Sequence, residues 1–319
     1  MAKVKLATKV DSDVLVVGVG ISNSKLQILS GISEVDSTAL LINLNAIGAT
    51  GKVDEVIKLP GKTTKLIVFT GLGKIEPNFS PELLRRAAGA AARELAGNKS
   101  AAFALPHKSV VELSAIAEGA ALGAYSFTQF LGRSKKEQKD PLSTVSVITK
   151  FADTPAAKAA ARRAEIIAEQ TFLVRDLINT PPSHLTPDSF CLRMKKEAAK
   201  YGVKVEIIND AALKKGGYGG IIGVGQGSAN PPRLLHVTYS PAKAKKRYAF
   251  VGKGITFDTG GLALKPAAGM EAMKADMSGA AAVIAAVFAI AQLKLPIAVD
   301  GWAPLAENMV SDSATRPSD

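Results

Sequence analysis

The sequence predicts an α/β protein built as two successive domains. Three observations carry this reading. Short apolar runs alternate with helical patterns, the signature of strands layered against helices. The 319 residues correspond to two domains at roughly 150 residues each. Hydrophobic residues make up 47% and charged residues 21%, which excludes a disordered chain and allows a sizeable core without covalent staples.

The elements follow in order. Val14–Val17 is a continuous apolar run and reads as a buried strand, as do Leu40–Leu44 and Lys65–Thr70. Gly18-Val19-Gly20 reads as a tight turn, because Asn at position 23 removes the third glycine of a dinucleotide fingerprint. Gly71-Leu72-Gly73 reads as a strand-to-helix turn; it lacks the Lys-Ser/Thr pair of a phosphate loop. Ser80 is placed to cap a helix with Pro81 at its first position, running to about Gly97. Ala101–Leu105 is a strand, and Val110 to about Leu131 is an amphipathic helix ended by Gly132. The charged link Arg133 to Asp140 leads to a strand over Thr144–Thr149. A long helix from Thr154 to Ile178 stops at Asn179-Thr180-Pro181-Pro182, since two prolines cannot continue it. The expected division is a domain over 1–153, a linking helix over 154–182 and a second domain over 183–319.

In that second part, Thr186-Pro187-Asp188 opens a helix. Val203–Ile208, Leu234–Tyr239 and Tyr248–Val251 read as strands. Gly223, Gly225 and Gly227 read as permissive backbone at a strand edge. Met277–Leu293 is a buried helix, and Ile297–Ala303 is the last strand. One alternative reading is a folding-compromised chain, in which apolar surface around Ile297–Leu305 lies uncovered for want of partner strands.

The charge is +12, with 19 basic and 13 acidic residues in 1–150 and 21 and 15 in 151–319. An even spread argues against a basic arm or tail. The densest cluster, Lys243, Lys245, Lys246 and Arg247, reads as a solvated strand-to-strand turn. The single cysteine, Cys191, excludes an internal disulfide and a Cys-based zinc module, and the three histidines are far apart. The first ten residues carry no apolar signal core. Met277–Leu293 is shorter than the ~20 residues a membrane span needs. The expectation is a cytoplasmic protein with no membrane partner.

The informative stretch is Val251 to Gly261, in which a strand delivers Lys253 and then Asp258 into a glycine-dense loop. Lys265 and Pro266 follow, and then Met273-Lys274-Ala275-Asp276 at the entrance to the buried helix. Two readings stand side by side. Asp258 and Asp276 can cap turns and pair with Lys253, Lys265 or Lys274. Alternatively, clustered carboxylates hold a divalent ion. A metal-ligating lysine must be neutral, far from its solution pKa of ~10.4, which takes burial and an adjacent cation.

Lys253-Gly-Ile-Thr-Phe-Asp258-Thr-Gly-Gly, Lys265-Pro266 and Met273-Lys-Ala-Asp276-Met-Ser-Gly resemble the leucyl aminopeptidase, or cytosol aminopeptidase, family. Asn179-Thr-Pro-Pro, Gly223 to Arg233 and Glu307-Asn308-Met309 through Pro317 agree with it. The resemblance implies an N-terminal macro-like three-layer domain and a C-terminal α/β catalytic domain with a mixed sheet. It implies two divalent ions, manganese, zinc or magnesium, and hydrolysis of peptides with a free N-terminus, leucine preferred. Asp258 would bridge both ions, with Lys253 and Asp276 completing part of one shell. Lys265 would steady the oxyanion, and Met273 would line the pocket for the first side chain. The substrate-binding set is thus Lys253, Asp258, Lys265, Met273 and Asp276. The family's assembly is a homo-hexamer.

In the family a further segment supplies an Asp and a Glu as ligands and an Arg that holds bicarbonate; it would follow beyond Asp319. The 319 residues alone are therefore expected to bind metal weakly, to have little or no peptidase activity and to be doubtful as a hexamer. A non-catalytic DNA-binding role is the alternative, because some family members bind DNA. The even charge and the 5% aromatic content argue against it.

Overall fold

The computed structural model describes residues 1–32, 37–317 and 319. These form two compact units, Met1–Glu169 and Gln170–Asp319.

The first unit is a seven-stranded mixed sheet in the order β1-β7-β6-β2-β5-β4, with β3 hairpinned onto β2. Its strands are β1 (Lys3–Ala7), β2 (Val14–Ser22), β3 (Lys25–Leu29), β4 (Val56–Pro60), β5 (Leu66–Lys74), β6 (Ser100–Phe103) and β7 (Thr144–Ile148). Three helices alternate with them: α1 (Ser37–Ala46), α2 (Pro81–Glu94) and α3 (Val110–Gly123). Leu15, Val17 and Val19 of β2 pack with Leu44 of α1. The strand's period of two sends Val16 to the opposite face, where Thr70 of β5 bonds the Ala87 carbonyl of α2 at 2.9 Å. Ser80 caps α2 by accepting from Leu83 N, as its sequence position predicts. Ser109 and Glu112 form a reciprocal capping box on α3. Helices α2 and α3 touch backbone to backbone: a Cβ at Gly119 would lie 2.8 Å from the Arg85 carbonyl carbon.

Four expectations are corrected in this unit. Leu40–Leu44 belongs to a helix, not a strand. Leu40, Leu41 and Leu44 share its packed face while Ile42 is 65% exposed. An apolar run this short fits either element until its flanks decide. The second correction is that α3 stops at Gly123 rather than near Leu131. The β-branched and aromatic residues beyond, Phe127 and Thr128, do not extend it. Third and fourth, Gly18 and Gly20 lie inside β2, and Gly71 and Gly73 inside β5. A register shift occurs where these pairs meet, and a Cβ at Gly71 would collide with the Lys52 backbone. Close approach is what Gly18, Gly20 and Gly71 serve, and Gly73 takes a positive φ within its strand.

Helix α4 (Pro155–Asn179) runs from the first unit into the second. The second unit contains α5 (Pro187–Ala198), β8 (Lys204–Ile208), α6 (Asp210–Lys215), α7 (Gly219–Gly225), β9 (Arg233–Tyr239), β10 (Arg247–Val251), β11 (Gly254–Asp258), α8 (Ala267–Met270), α9 (Ser278–Gln292) and β12 (Ala298–Asn308). Thr186 opens α5 with a capping box closed by Ser189. The glycine run expected at a strand edge is largely α7. Glycines are poor helix formers, and α7 is held by packing over β12.

The sheet order is β10-β12-β9-β8, with β11 also on β12. Strand β12 is antiparallel to β9 and parallel to β10 and β11. Its core face, Val299, Ala303 and Leu305, is buried with Ile284, Val287 and Phe288 of α9. The expected open apolar surface at Ile297–Leu305 is thus corrected: β12 is central and covered. The exposed large apolar residues are instead at neighbouring positions such as Val251, Leu262 and Leu264. Within residues Ala267–Gln292 an 18-residue window reaches the mean hydropathy, 1.6, of a membrane-crossing helix. They are broken by a 3-10 turn at Glu271–Ala275, and α9 presents a packed face to the sheet, as a domain's core helix does.

Candidate active site

Strand β12 builds the site by failing to complete a ladder. Gly252 N donates to the Trp302 carbonyl at 2.9 Å, so residues 302 and 304 turn their backbone polar groups to this edge. Pro304 has no N–H to give. The ladder breaks there, and one edge of β12 is shared by β10 before the break and β11 after it. Lys253 sits in the gap. Its carbonyl accepts from Ala280 N, in the first turn of α9, at 2.8 Å. This approach requires Gly252: a Cβ there would lie 2.5 Å from the Gly279 carbonyl carbon.

The side chain of Lys253 reaches Asp276, which ends the 3-10 turn just before α9. Nζ stands 2.8 Å from Asp276 Oδ2. That oxygen is sealed from solvent and has no well-aligned hydrogen-bond donor, so the contact is an ion pair off the bonding angle. The Asp276 carboxylate holds the Lys253 ammonium above its usual range, partial burial opposes it, and the charge of Asp258 adds to the rise.

Asp258 closes β11, and the chain then turns through Gly260 and Gly261, both at positive φ. Its Oδ2 pairs with Lys265 Nζ at 2.6 Å. Its Oδ1 accepts from Asn308 Nδ2 at 2.7 Å and Gly260 N at 3.0 Å. Burial pushes this carboxyl up, but the bonds from Lys265, Asn308 and Gly260 outweigh it and hold the group below the usual carboxylate range. Lys253, Asp258, Lys265 and Asp276 are therefore brought together, each carboxylate facing an ammonium.

Met273 packs with Phe257, Met270, Met309 and Ala314 beside this cluster. Lys253 also borders an apolar groove of about 390 Å³ formed by Ile221, Val224, Val251, Ile255 and Pro304. Behind Asp258, buried Glu307 is held by Ser228, by Asn230 Nδ2 at 2.9 Å and by Arg316. Among the described residues no three His, Cys, Asp or Glu side chains converge as a metal-binding group. The convergent set includes a lysine. The motif that contains Asn308 assigns it no role from sequence; its signal is a polar amide ending a largely buried strand.

Residues 172–319 match the cytosol aminopeptidase family, catalytic domain, and residues 14–136 match its N-terminal domain. A probable cytosol aminopeptidase from Streptomyces avermitilis is 48% identical over 98% of this chain.

The chain belongs to the cytosol aminopeptidase family.

It spans about 64% of the length of that relative, and 62% of the one from Leifsonia xyli, which is 44% identical over 98% of this chain. Among solved structures, the bottromycin maturation enzyme BotP in complex with Mn aligns at TM-score 0.77 and 32% identity. That match covers 96% of this chain and 61% of BotP. The cytosol aminopeptidase from Coxiella burnetii shares the fold, at TM-score 0.72 and 22% identity, over 99% of this chain and 63% of its own. The expected α/β architecture with mixed sheets and the expected family membership both hold.

Proposed function

We propose that these residues serve a two-metal aminopeptidase that removes N-terminal residues, leucine preferred, from peptides. One observation carries the reading: Lys253, Asp258, Asp276 and Lys265 converge, with a buried Asp276 oxygen that lacks an aligned donor. The Lys253 ammonium is the cation this buried oxygen faces here, and a bound metal ion would take the same position once Lys253 loses its proton. Two carboxylates and one amine form an oxygen-rich donor set with one nitrogen, suited to manganese or zinc and, less selectively, magnesium.

In this reading Lys253, Asp258 and Asp276 hold the ions, with Asp258 between the two. Divalent ions at such a site supply an acidified water and a polarised carbonyl. Lys253 must give up its proton to become a ligand, against the pull of Asp276 that now keeps it charged. Lys265, paired with Asp258, supplies the positive charge that steadies the oxyanion of the tetrahedral species. Met273, unbranched and polarisable, lines the pocket for the first side chain. The chain divides, in the same reading, into a domain over 1–153, a linking helix over 154–182 and a catalytic domain from 183. The relatives' name, cytosol aminopeptidase, supports a cytoplasmic location, and the homo-hexamer is proposed for the enzyme at its relatives' length, not for these 319 residues alone.

Mn²⁺ titration followed by electron paramagnetic resonance tests the reading. Weak binding by the chain, weakened further in Asp258→Asn and Asp276→Asn, is expected. No binding, or equal binding by both variants, overturns it.

A further inference from the structure

We propose that Asn308 is a positioning residue that sets the plane of the Asp258 carboxylate, an inference that rests on the metal reading above. Asp258 and Asn308 are the last residues of β11 and β12, and they face each other in parallel register. Asn308 Nδ2 donates to Asp258 Oδ1 at 2.7 Å, shorter than the 3.0 Å bond from Gly260 N to the same oxygen. Two donors on Oδ1 fix the rotation of the carboxylate about its last bond. Oδ2 is then the oxygen presented outward, where Lys265 Nζ now sits at 2.6 Å.

Asn308 is itself held. Its carbonyl accepts from Thr259 N at 3.0 Å and from Thr259 Oγ1 at 2.9 Å, strapping the loop after Asp258 to the end of the central strand. Thr259 Oγ1 in turn accepts from Gly261 N at 3.2 Å. The amide therefore has a fixed base and a single strong task. An amide suits that task because it donates without carrying charge. A carboxylate at 308 would face Asp258 with like charge, and an apolar side chain would leave Oδ1 to Gly260 alone. Groups that orient a ligating carboxylate typically change metal affinity by about 10- to 100-fold.

The test compares the chain with Asn308→Leu, which keeps the branched four-atom side-chain skeleton and removes the donor, and with Thr259→Val, which removes a strap and leaves the carboxylate's donors in place. Mn²⁺ dissociation constants are measured by electron paramagnetic resonance, with Asp258→Asn alongside. Crystal structures of the metal-free chain and its Asn308→Leu variant are the second readout. The expected result is about 10- to 100-fold weaker Mn²⁺ binding in Asn308→Leu, near-unchanged binding in Thr259→Val, and a turned Asp258 carboxylate in the Asn308→Leu crystal. Asn308→Leu binding as the wild type while Asp258→Asn loses the ion overturns the role of Asn308 and leaves the metal reading standing. Equal losses in Asn308→Leu and Thr259→Val overturn it too, by reducing Asn308 to loop support. If the wild type binds no Mn²⁺, the metal reading falls, and the crystal structures alone decide: an unmoved Asp258 carboxylate refutes the positioning role.

Discussion

Replacing Gly252 by alanine probes fold and site through one atom. The added Cβ would lie 2.5 Å from the Gly279 carbonyl carbon and 2.7 Å from Ala280 N, both backbone atoms that cannot rotate aside. Restoring an ordinary carbon contact of about 3.5 Å requires strand and helix to part by about 1 Å. Overpacking of this kind costs about 1–3 kcal/mol. The same movement breaks the Ala280 N to Lys253 O bond, 2.8 Å in the native chain, for about 1 kcal/mol more. The expected loss is therefore about 2–4 kcal/mol, which lowers the urea midpoint by about 1–2 M at a slope of about 2 kcal/mol/M. The only tryptophan, Trp302, lies in the second unit and reports its unfolding without interference from the first. Lys253 moves with the strand, so Mn²⁺ affinity should fall together with stability. A Gly252→Ala chain with an unchanged midpoint and unchanged Mn²⁺ binding would show that the Gly252 contact neither packs the sheet nor places Lys253.

Four further predictions follow from other parts of the molecule. Burial pushes the Cys191 thiol up to about 12, with Asp188 adding to the rise and Arg233 opposing it. It should resist Ellman's reagent at pH 8 in the native chain and react at once in urea; fast native labelling would contradict this. Asp300 is buried, which raises its carboxyl, but bonds from Arg247, His236 and Thr238 bring it below the ordinary value. A depressed folded pKa gives stability that is full above the unfolded value of about 3.9 and is lost as pH falls through the folded one. The wild type's advantage over Asp300→Asn in urea midpoint should accordingly be present at pH 7 and shrink below about pH 4; a constant difference would refute the assignment. Glu118, 4% exposed, is clamped by Arg85, Arg163 and Ser114. Glu118→Ala should cost about 1–3 kcal/mol, less than a fully buried pair because the arginines can rehydrate, read from the circular dichroism melt of the first unit. Lys265→Met should lower kcat for leucine p-nitroanilide about 10²–10³-fold with little change in KM, measured in the enzyme at its relatives' length; a KM effect alone would make Lys265 a binding residue.

The parts of the fold written in local chemistry were legible before the structure. Ser80 with Pro81, and Thr186 with Pro187, announce helices because a cap and a following proline need no tertiary partner. Val14–Val17 and Lys65–Thr70 announce buried strands by β-branched content. Leu40–Leu44 misleads because its neighbours, not its own pattern, decide which of its leucines are inside. Glycine was misread for the same reason. Gly18, Gly20 and Gly71 answer to crowding by atoms of other segments and Gly73 to a positive φ, which no window of sequence displays. The edge strands β1 and β4 and the hairpin strand β3 were not anticipated, since their pairing partners supply the order their composition does not. In the site, the carboxylates and lysines stood out through long motifs, whereas Pro304 and Asn308 did not. Their effects travel across strands: one opens the ladder beside Lys253, the other bonds Asp258 from 50 residues away.

The position of β12 at the centre of its sheet has a consequence for synthesis on the ribosome. Strands β8 and β9 can pair as soon as both have emerged. Among the described residues, β10 and β11 pair with β12 alone, and β12 is made after both. At translation rates of about 5–20 residues per second, the forty residues from Asp258 to Ala298 leave β10 and β11 waiting for roughly 2–8 s. Throughout that interval Lys253, between β10 and β11, and Asp258, at the end of β11, have no sheet to hold them in place. The nascent chain is most in need of chaperone cover there, and slow codons placed within β12 should lengthen the exposure of the strands that carry the site.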